Sequence, residues 1–488
     1  MSFITAAFLL FLTAAGLLYY VLPKAVRPFF LLVCSYLFYL YDAANIPLIW
    51  ALLGGTAVTY AAGLALDAIP RRSAGARKAV LAGTLAVCLG ALVYFKYTRF
   101  FVSLFSTDAA QGLHIVAPLG ISYFTFSSLS YVIDVYRGKL RAERDFFCYA
   151  LFVSFFPCIV AGPIERAGNM IPQFNRAVTF DYSRVAGGMF RILWGLFKKL
   201  VIANALYSML RTVVGHPEAY PGPILLLAAL AFSYYLYCDF SALSDVAIGT
   251  AAVFGFTVME NFSRPLAARS ITDLWRRWHN SLTGWFREYL YFPLGGSRKG
   301  KVRTYVNTLL VFTVSGLWHG ASLGYLVWGL LNGVFLCVEK ATEHVRRRLA
   351  FCNPLYRVKW LKHFWQTLVT YVLFSAAMVF FFAELLGKNA LPTDGLATAL
   401  YLLGHIFTGW SGADAAGKLA ALGLAGAPMW ALFGSIVVVE WFEAPRIPAN
   451  VLIRKVPAVL RWPLYWGLVL MILFFANFGV TGFAYQAY

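Results

Sequence analysis

The sequence predicts an all-α integral membrane protein, and three observations predict it. Apolar runs of membrane-spanning length recur from one end of the 488 residues to the other, and about 18 or more apolar residues in a row cross a bilayer as a helix. The chain is 60% hydrophobic and 13% charged, with a mean hydropathy of +0.69, whereas a soluble domain has roughly 45–50% apolar and about 25% charged residues. The runs also lack the period-two alternation of barrel strands, which selects helices over a membrane β-barrel.

The apolar segments fall near 3–22, 29–42, 47–66, 79–105, 114–135, 146–162, 185–213, 222–238, 241–257, 304–319, 321–339, 364–386, 396–409, 427–443 and 459–478. Several are too short to cross about 30 Å of hydrocarbon alone. About eleven true spans are therefore expected, with the remainder re-entrant or half-helices lining an internal cavity, the one place where irregular backbone is tolerated at that depth. No repeat, low-complexity stretch or soluble module interrupts the pattern, so residues 1–488 read as one polytopic membrane domain. The first apolar stretch, Phe3 to Leu22, lacks a basic leader and an A-x-A-like cleavage site, as expected of an uncleaved first span.

The formal net charge is +20, but the basic residues sit in short loops between apolar runs. Arg71, Arg72, Arg77 and Lys78 form one cluster, Arg298, Lys299, Lys301 and Arg303 a second, and Arg346, Arg347 and Arg348 a third. This is the positive-inside pattern, with anionic membrane lipids as partners of the basic faces. No nucleic-acid partner is expected, since no soluble module exists to carry one. The loops 70–78 and 137–145 read as cytoplasmic and the loop 106–113 as external, which puts the N-terminus outside. The cysteines at 34, 88, 148, 158, 238, 337 and 352 contain no C-x-x-C pair; they read as small core residues. No spacing of histidines or cysteines suggests a metal site.

Four segments carry possible chemistry. His319 lies in a stretch with no Asp, Glu, Lys or Arg from Tyr305 through Val338. An ionisable group at that depth usually faces a cavity or the bundle interior, and histidine is suited to general-base work near neutral pH. The other reading is a neutral histidine joining two helices by a hydrogen bond. The stretch 269–292, RSITDLWRRWHNSLTGWFREYLYF, predicts an amphipathic helix lying in the membrane interface. Trp275, Trp278, Leu282, Trp285, Phe286 and Tyr289 share one face, Arg276, Arg277, Asn280, Thr283 and Arg287 the other, and Thr272 with Asp273 supplies the N-cap. His279 falls at the border of the two faces. It is 40 residues before His319, so only tertiary packing can bring the pair together: a single helix would hold them about 60 Å apart. The arginines of this stretch read as phosphate binders for a cytoplasmic donor or as headgroup anchors.

Asp239 and Asp245 lie between two apolar runs, either lining a polar path or capping a broken helix. The segment 155–174, with three prolines and two glycines, reads as a re-entrant turn in which Glu165 and Arg166 pair.

The run DLWRRWHNSLTGWFREYLYFPLGGSRKGKVRTYVNTLLVFTVSGLWHGASLGYLVWGLLNG, over 273–333, resembles the core of the membrane-bound O-acyltransferases (MBOAT). The likeness is to the bacterial branch that includes the membrane subunits of alginate and peptidoglycan O-acetylation. AGPIERAGNMIPQF and YCDFSALSDVAIG are similar to the upstream blocks of that branch. The resemblance implies a bundle with half-helices and interfacial amphipathic helices around a central tunnel. It implies that His319, in the WHG block, is the central catalytic histidine and His279, in the RRWH block, the second characteristic one. Arg276, Arg277, Trp278, Asp239, Trp318 and Asn332 are the candidates for substrate and donor binding around them.

The chain ends GVTGFAYQAY, similar to a terminal F-x-Y-x-x-F motif of this branch, with Tyr488 in place of the last Phe. That likeness makes Tyr485 a candidate carrier of the acyl group, the alternative being an interfacial anchor. The family takes an acyl thioester from the cytoplasm and delivers the acyl group outward. The expectation is thus a multi-pass protein of the cytoplasmic (inner) membrane with no bound cofactor. Its donor is acetyl-CoA or another acyl-CoA or acyl-carrier thioester. Its soluble partner is an SGNH-like, AlgJ- or AlgX-like extracytoplasmic transferase, and its acceptor a polysaccharide such as alginate, cellulose, peptidoglycan or capsule. The competing expectations are D-alanyl transfer to a cell-wall polymer, a lipid acyltransferase, and, outside enzymes, a transporter.

Overall fold

A computed structural model of the chain describes residues 1–352, 358–387, 394–443 and 456–478, and among them all regular structure is helical. The first third forms two hairpins, α1 (Ala6–Val21) with α2 (Arg27–Leu40) and α3 (Ile49–Ala68) with α4 (Ala74–Ser103), followed by the short α5 (Thr107–Gln111) and by α6 (Ile121–Tyr136), which packs on α3 and α4. Arg77 belongs to the basic cluster expected to face lipid, but it is buried. Its guanidinium donates to the carbonyls of Leu66, of Ile69 at 3.1 Å and of Tyr136 at 2.9 Å. It thus satisfies the open C-terminal ends of α3 and α6, as a cation does at helix C-termini.

The proline-rich segment is broken as expected, into α7 (Phe146–Ser154), α8 (Phe156–Ile159) and α9 (Ala167–Phe174). Glu165 and Arg166 do not pair through their side chains. Glu165 accepts from Asn169 Nδ2 at 2.9 Å and from the Met259 backbone N–H, while Arg166 reaches Glu288 at 3.6 Å. Next come α10 (Tyr182–Phe197), a π-helical turn over Lys198–Ala203, α11 (Asn204–Gly215) and α12 (Gly222–Val253). The expected break between 238 and 241 is absent: α12 runs unbroken for 32 residues, with Asp239 and Asp245 in its interior. It is apolar all round and buried along most of its length, as a central helix must be. The α10 and α12 backbones approach closely at Gly188 against Gly249 and at Gly195 against the Ala242 carbonyl, the small-residue contact that replaces hydrophobic drive inside a bilayer.

The stretch 269–292 differs most from expectation. It is not one interfacial helix but α13 (Ile271–Trp275), a break at 276–279, α14 (Asn280–Phe286) and a π-helical turn over Arg287–Tyr291. Trp278, Trp285, Phe286 and Tyr289 are buried in the protein. The N-cap is Ser270, accepting from Asp273 N at 3.1 Å, not Thr272 or Asp273. A tight hairpin follows, α15 (Gly300–His319) and α16 (Leu323–Ala341), and then α17 (Glu343–Cys352), α18 (Lys359–Leu386), α19 (Asp394–His405), α20 (Gly412–Ala421), α21 (Ala427–Phe442) and α22 (Ala458–Phe475). Gly316 lies against Gly329 and the Tyr325 carbonyl, and Gly333 against Leu309, so α15 and α16 touch almost backbone to backbone.

Five of these helices, α3, α4, α12, α16 and α18, are long and apolar enough to cross a membrane. Shorter apolar helices lie at 6–21, 27–40, 146–159, 427–442 and 459–475, in keeping with segments too short to cross alone. The chain is a multi-pass integral membrane protein. Its interior is two apolar clusters. Among the described residues, one joins α1 to α4 and α6 to α9 with part of α10, the later part of α12, residues 282–289 and part of α15; the other joins the rest of α10, α11 and the first part of α12 to α16, α18 and α19.

Several charges inside this apolar body form ion pairs. Lys198, fully buried, lies 2.7 Å from both Asp245 and Glu443 and donates to Ser241 Oγ at 2.8 Å. Lys199 pairs with Asp239, and Arg191 bridges Asp245 at 2.9 Å and Glu260. Breaking one partner of such a pair strands the other charge in low dielectric, at about 3–5 kcal/mol. Lys198→Met should therefore lower the temperature at which the detergent-solubilised protein loses its monodisperse gel-filtration peak, while Arg298→Ala in an exposed loop leaves it unchanged.

Candidate active site

His319 is the last residue of α15, which ends there because Gly320 is extended and Ser322 starts α16 by accepting from Tyr325 N at 3.3 Å. Two side chains of α4 hold this helix end. Lys96 Nζ donates to the Trp318 carbonyl and lies 5.5 Å from the centre of its ring, and Tyr97 Oη donates to the Leu317 carbonyl at 2.5 Å. From the other side Glu384 of α18 accepts the Gly324 N–H at 2.9 Å. The turn that carries His319 is therefore gripped at both ends. The imidazole, in a residue 6% exposed, packs edge-on against Trp318, Trp328 and Phe381 with ring centres 5.0, 5.1 and 5.2 Å away.

His279 sits in the break between α13 and α14 with a left-handed backbone, φ 47° and ψ 54°. A non-glycine residue there costs of order 1–3 kcal/mol and persists only where its surroundings hold it. Its carbonyl accepts the N–H groups of Leu282 and Thr283, both at 3.0 Å, and so opens α14. The ring, in a residue 2% exposed, lies 4.6 Å from Phe240 and 6.3 Å from Trp318, and Nδ1 is 3.3 Å from Asn261 Oδ1.

The two histidines line one cavity of about 50 Å³, walled by Trp275, Trp278 and Phe286 and edged by the hydroxyl-bearing Thr283 and Ser315. It lies where the two apolar clusters meet: Leu282, Phe286 and Trp318 belong to one, and Trp278, Tyr325 and Trp328 to the other. Two imidazoles on one aromatic-walled cavity can exchange a proton with a hydroxyl or thiol held between them.

The other sequence-derived residues divide. Trp278 forms a cavity wall and Trp318 touches both imidazoles. Arg277 is engaged with Asp273 at 2.8 Å, and Arg276 is exposed. Asp239 is buried against Lys199, and Asn332 donates to the Trp328 carbonyl at 2.8 Å; neither lines the cavity. Tyr485 lies outside the described residues. Sequence reasoning missed Lys96, Tyr97, Asn261, Lys198, Lys199 and Glu384. Lys96 and the Lys198–Lys199 pair carried a usable signal, a cation inside an apolar run; Asn261 and Tyr97 carried none.

The profile of MBOAT, the membrane-bound O-acyltransferase family, matches residues 139–383, which contain both histidines. The chain is 39% identical over 380 residues to the probable alginate O-acetylase AlgI of Pseudomonas putida, covering 76% of each chain. It is 35% identical over 322 residues to the peptidoglycan O-acetyltransferase of Helicobacter pylori, covering 60% of each. It is 28% identical over 287 residues to the teichoic acid D-alanyltransferase of Bacillus subtilis, covering 56% of this chain and 70% of that one.

The clamp on α15 makes a prediction. Lys96→Met should leave a folded protein in which His319 is displaced, and a displacement of about 1 Å can cost on the order of 100-fold in rate. Tyr97→Phe, which removes one hydrogen bond worth about 1 kcal/mol, should cost roughly fivefold. Initial rates of acyl transfer on gel-filtered protein check both.

Proposed function

The chain belongs to the membrane-bound O-acyltransferase family, and on that premise we propose that it moves an acetyl group from cytoplasmic acetyl-CoA through the membrane for O-acetylation of an extracytoplasmic polysaccharide. The observation that carries this reading is the pair of imidazoles, His279 and His319, on one cavity. In the transfer step an acceptor hydroxyl gives its proton to the His319 imidazole as its oxygen attacks the thioester carbonyl. The tetrahedral adduct collapses with cleavage of the C–S bond, and the thiolate leaves as the thiol by taking that proton back. The acceptor hydroxyl is the Tyr485 phenol or a serine of an SGNH-like partner transferase outside the membrane, which then acetylates the glycan. Trp278 and Trp318 shape the chamber, and the exposed Arg276 is available to the donor's phosphates. The protein then resides in the cytoplasmic membrane, with the donor on one side and the polymer on the other.

The make-up of the cavity favours acetyl over D-alanyl. A D-alanyl group brings an ammonium, which in a low-dielectric chamber needs a carboxylate beside it, and no Asp or Glu is among the described lining residues.

The test is transfer from radiolabelled acetyl-CoA to the purified protein in liposomes. Label should appear on the chain, vanish in His319→Ala, and vanish in Tyr485→Phe. Label that survives Tyr485→Phe but not His319→Ala would remove the tyrosyl carrier and keep the histidine chemistry. Wild-type protein that transfers nothing from acetyl-CoA, yet transfers D-alanine from a carrier-protein thioester, would overturn the acetyl reading.

A further inference from the structure

Asn261 is completely buried and holds the segment around His279 from two directions. Its backbone carbonyl accepts the Asn280 N–H at 2.8 Å, and its side-chain oxygen faces His279 Nδ1 at 3.3 Å. The orientation of the amide is fixed by its other neighbours. The same oxygen accepts from Ser281 Oγ at 2.6 Å and lies 3.4 Å from the Ser281 backbone N–H, a group that can only donate. The amide nitrogen donates to Ser244 Oγ at 3.0 Å. Turning the amide over would set its NH₂ against that backbone N–H, so the oxygen is the atom presented to the imidazole.

An acceptor at 3.3 Å from Nδ1 requires Nδ1 to carry a proton. In a neutral imidazole the lone pair then resides on Nε2, and His279 Nε2 is buried with no hydrogen-bond partner among the described residues. The ring that bears it lines the cavity shared with His319. We propose that Asn261 is a positioning residue that locks His279 as the Nδ1–H tautomer and thereby makes it an acceptor, not a donor, toward the reacting groups. His279 Nε2 then accepts a hydrogen bond from the departing thiol, while His319 takes the proton of the acceptor hydroxyl, and His279 does not supply the hydrogen bond to a thioester oxyanion. The left-handed backbone of His279 fits this role: φ 47° breaks the helix where the ring must turn from the 276–279 break toward Asn261.

The kinetic consequence rests on the acyl-transfer reading; the tautomer does not. Two measurements separate them. The first is ¹⁵N NMR of the full-length protein in liposomes with labelled histidine, His279 being assigned from the spectrum lost in His279→Gln. The expected result is one protonated nitrogen at Nδ1 and one unprotonated at Nε2, with a mixture or reversal in Asn261→Leu. A proton on Nε2 in wild type overturns the proposal whether or not the protein transfers acetyl. The second is acetyl-transfer kinetics. Asn261→Leu should lower kcat by about 10- to 100-fold, the loss usual for a residue that orients a functional histidine, with KM for acetyl-CoA changed less than about twofold. Asn261→Asp, which keeps an acceptor, should recover most of the rate. The Asn261→Leu/His279→Ala double variant should be no slower than His279→Ala. A wild-type rate in Asn261→Leu, or a further loss in the double variant, overturns the proposal. Absence of transfer in wild type with the expected NMR pattern would sink the acetyl donor and leave the tautomer standing.

Discussion

At membrane depth a polar group has only the protein to satisfy it, and that constraint places most of the charged side chains inside this chain. Lys198 and Lys199 sit in the π-helical turn after α10 because Asp245, Glu443 and Asp239 face them from neighbouring helices. Arg77 is buried because three carbonyls at the ends of α3 and α6 would otherwise be open. Lys96 and Tyr97 do the same for the end of α15. In each case a cation or phenol is matched to an anion or a helix end that water would have served in a soluble protein.

The candidate active site inherits its order from this. A histidine ending one helix and another in a backbone break would each be mobile if left to themselves. Here His319 is fixed by α4 on one side and by the Glu384 grip on the following turn on the other, and His279 by Asn261 and by the packing of Phe240. Both rings are walled by aromatic side chains, which exclude water and hold shape without adding charge. The chamber lies where the two apolar clusters meet, so its walls are drawn from both.

Much of the fold was legible because hydrocarbon thickness writes itself into segment length. The apolar runs 47–66 and 304–319, for example, correspond to α3 and α15 with ends shifted by only a few residues. What failed did so where a distant partner overrides local pattern. Asp239 and Asp245 look like helix breakers in isolation; their lysine and arginine partners about 40 to 55 residues upstream make them interior residues of α12. Residues 269–292 have helical periodicity, yet the helix gives way at His279, where contacts from Asn261 and Phe240 decide the backbone. His319 was picked out because an ionisable group in an apolar field stands out, and His279 by its place at the border of a polar and an aromatic face and by the family resemblance. It could not pick out Asn261, whose surroundings at 256–265 look like any loop.

The α4 clamp has a consequence for how the protein is made. Lys96 and Tyr97 lie 222 and 220 residues before the carbonyls they hold. At about 5–20 residues per second of synthesis, roughly 10 to 45 seconds separate them at the ribosome. The first third is therefore inserted before the hairpin of α15 and α16 emerges, and that hairpin arrives at a docking edge already built. The region matched by the family profile, 139–383, begins after α4. The segment that ends at His319 is thus completed by a portion of the chain that the family profile does not include, and a fragment trimmed to that profile would carry both histidines without the scaffold that holds one of them.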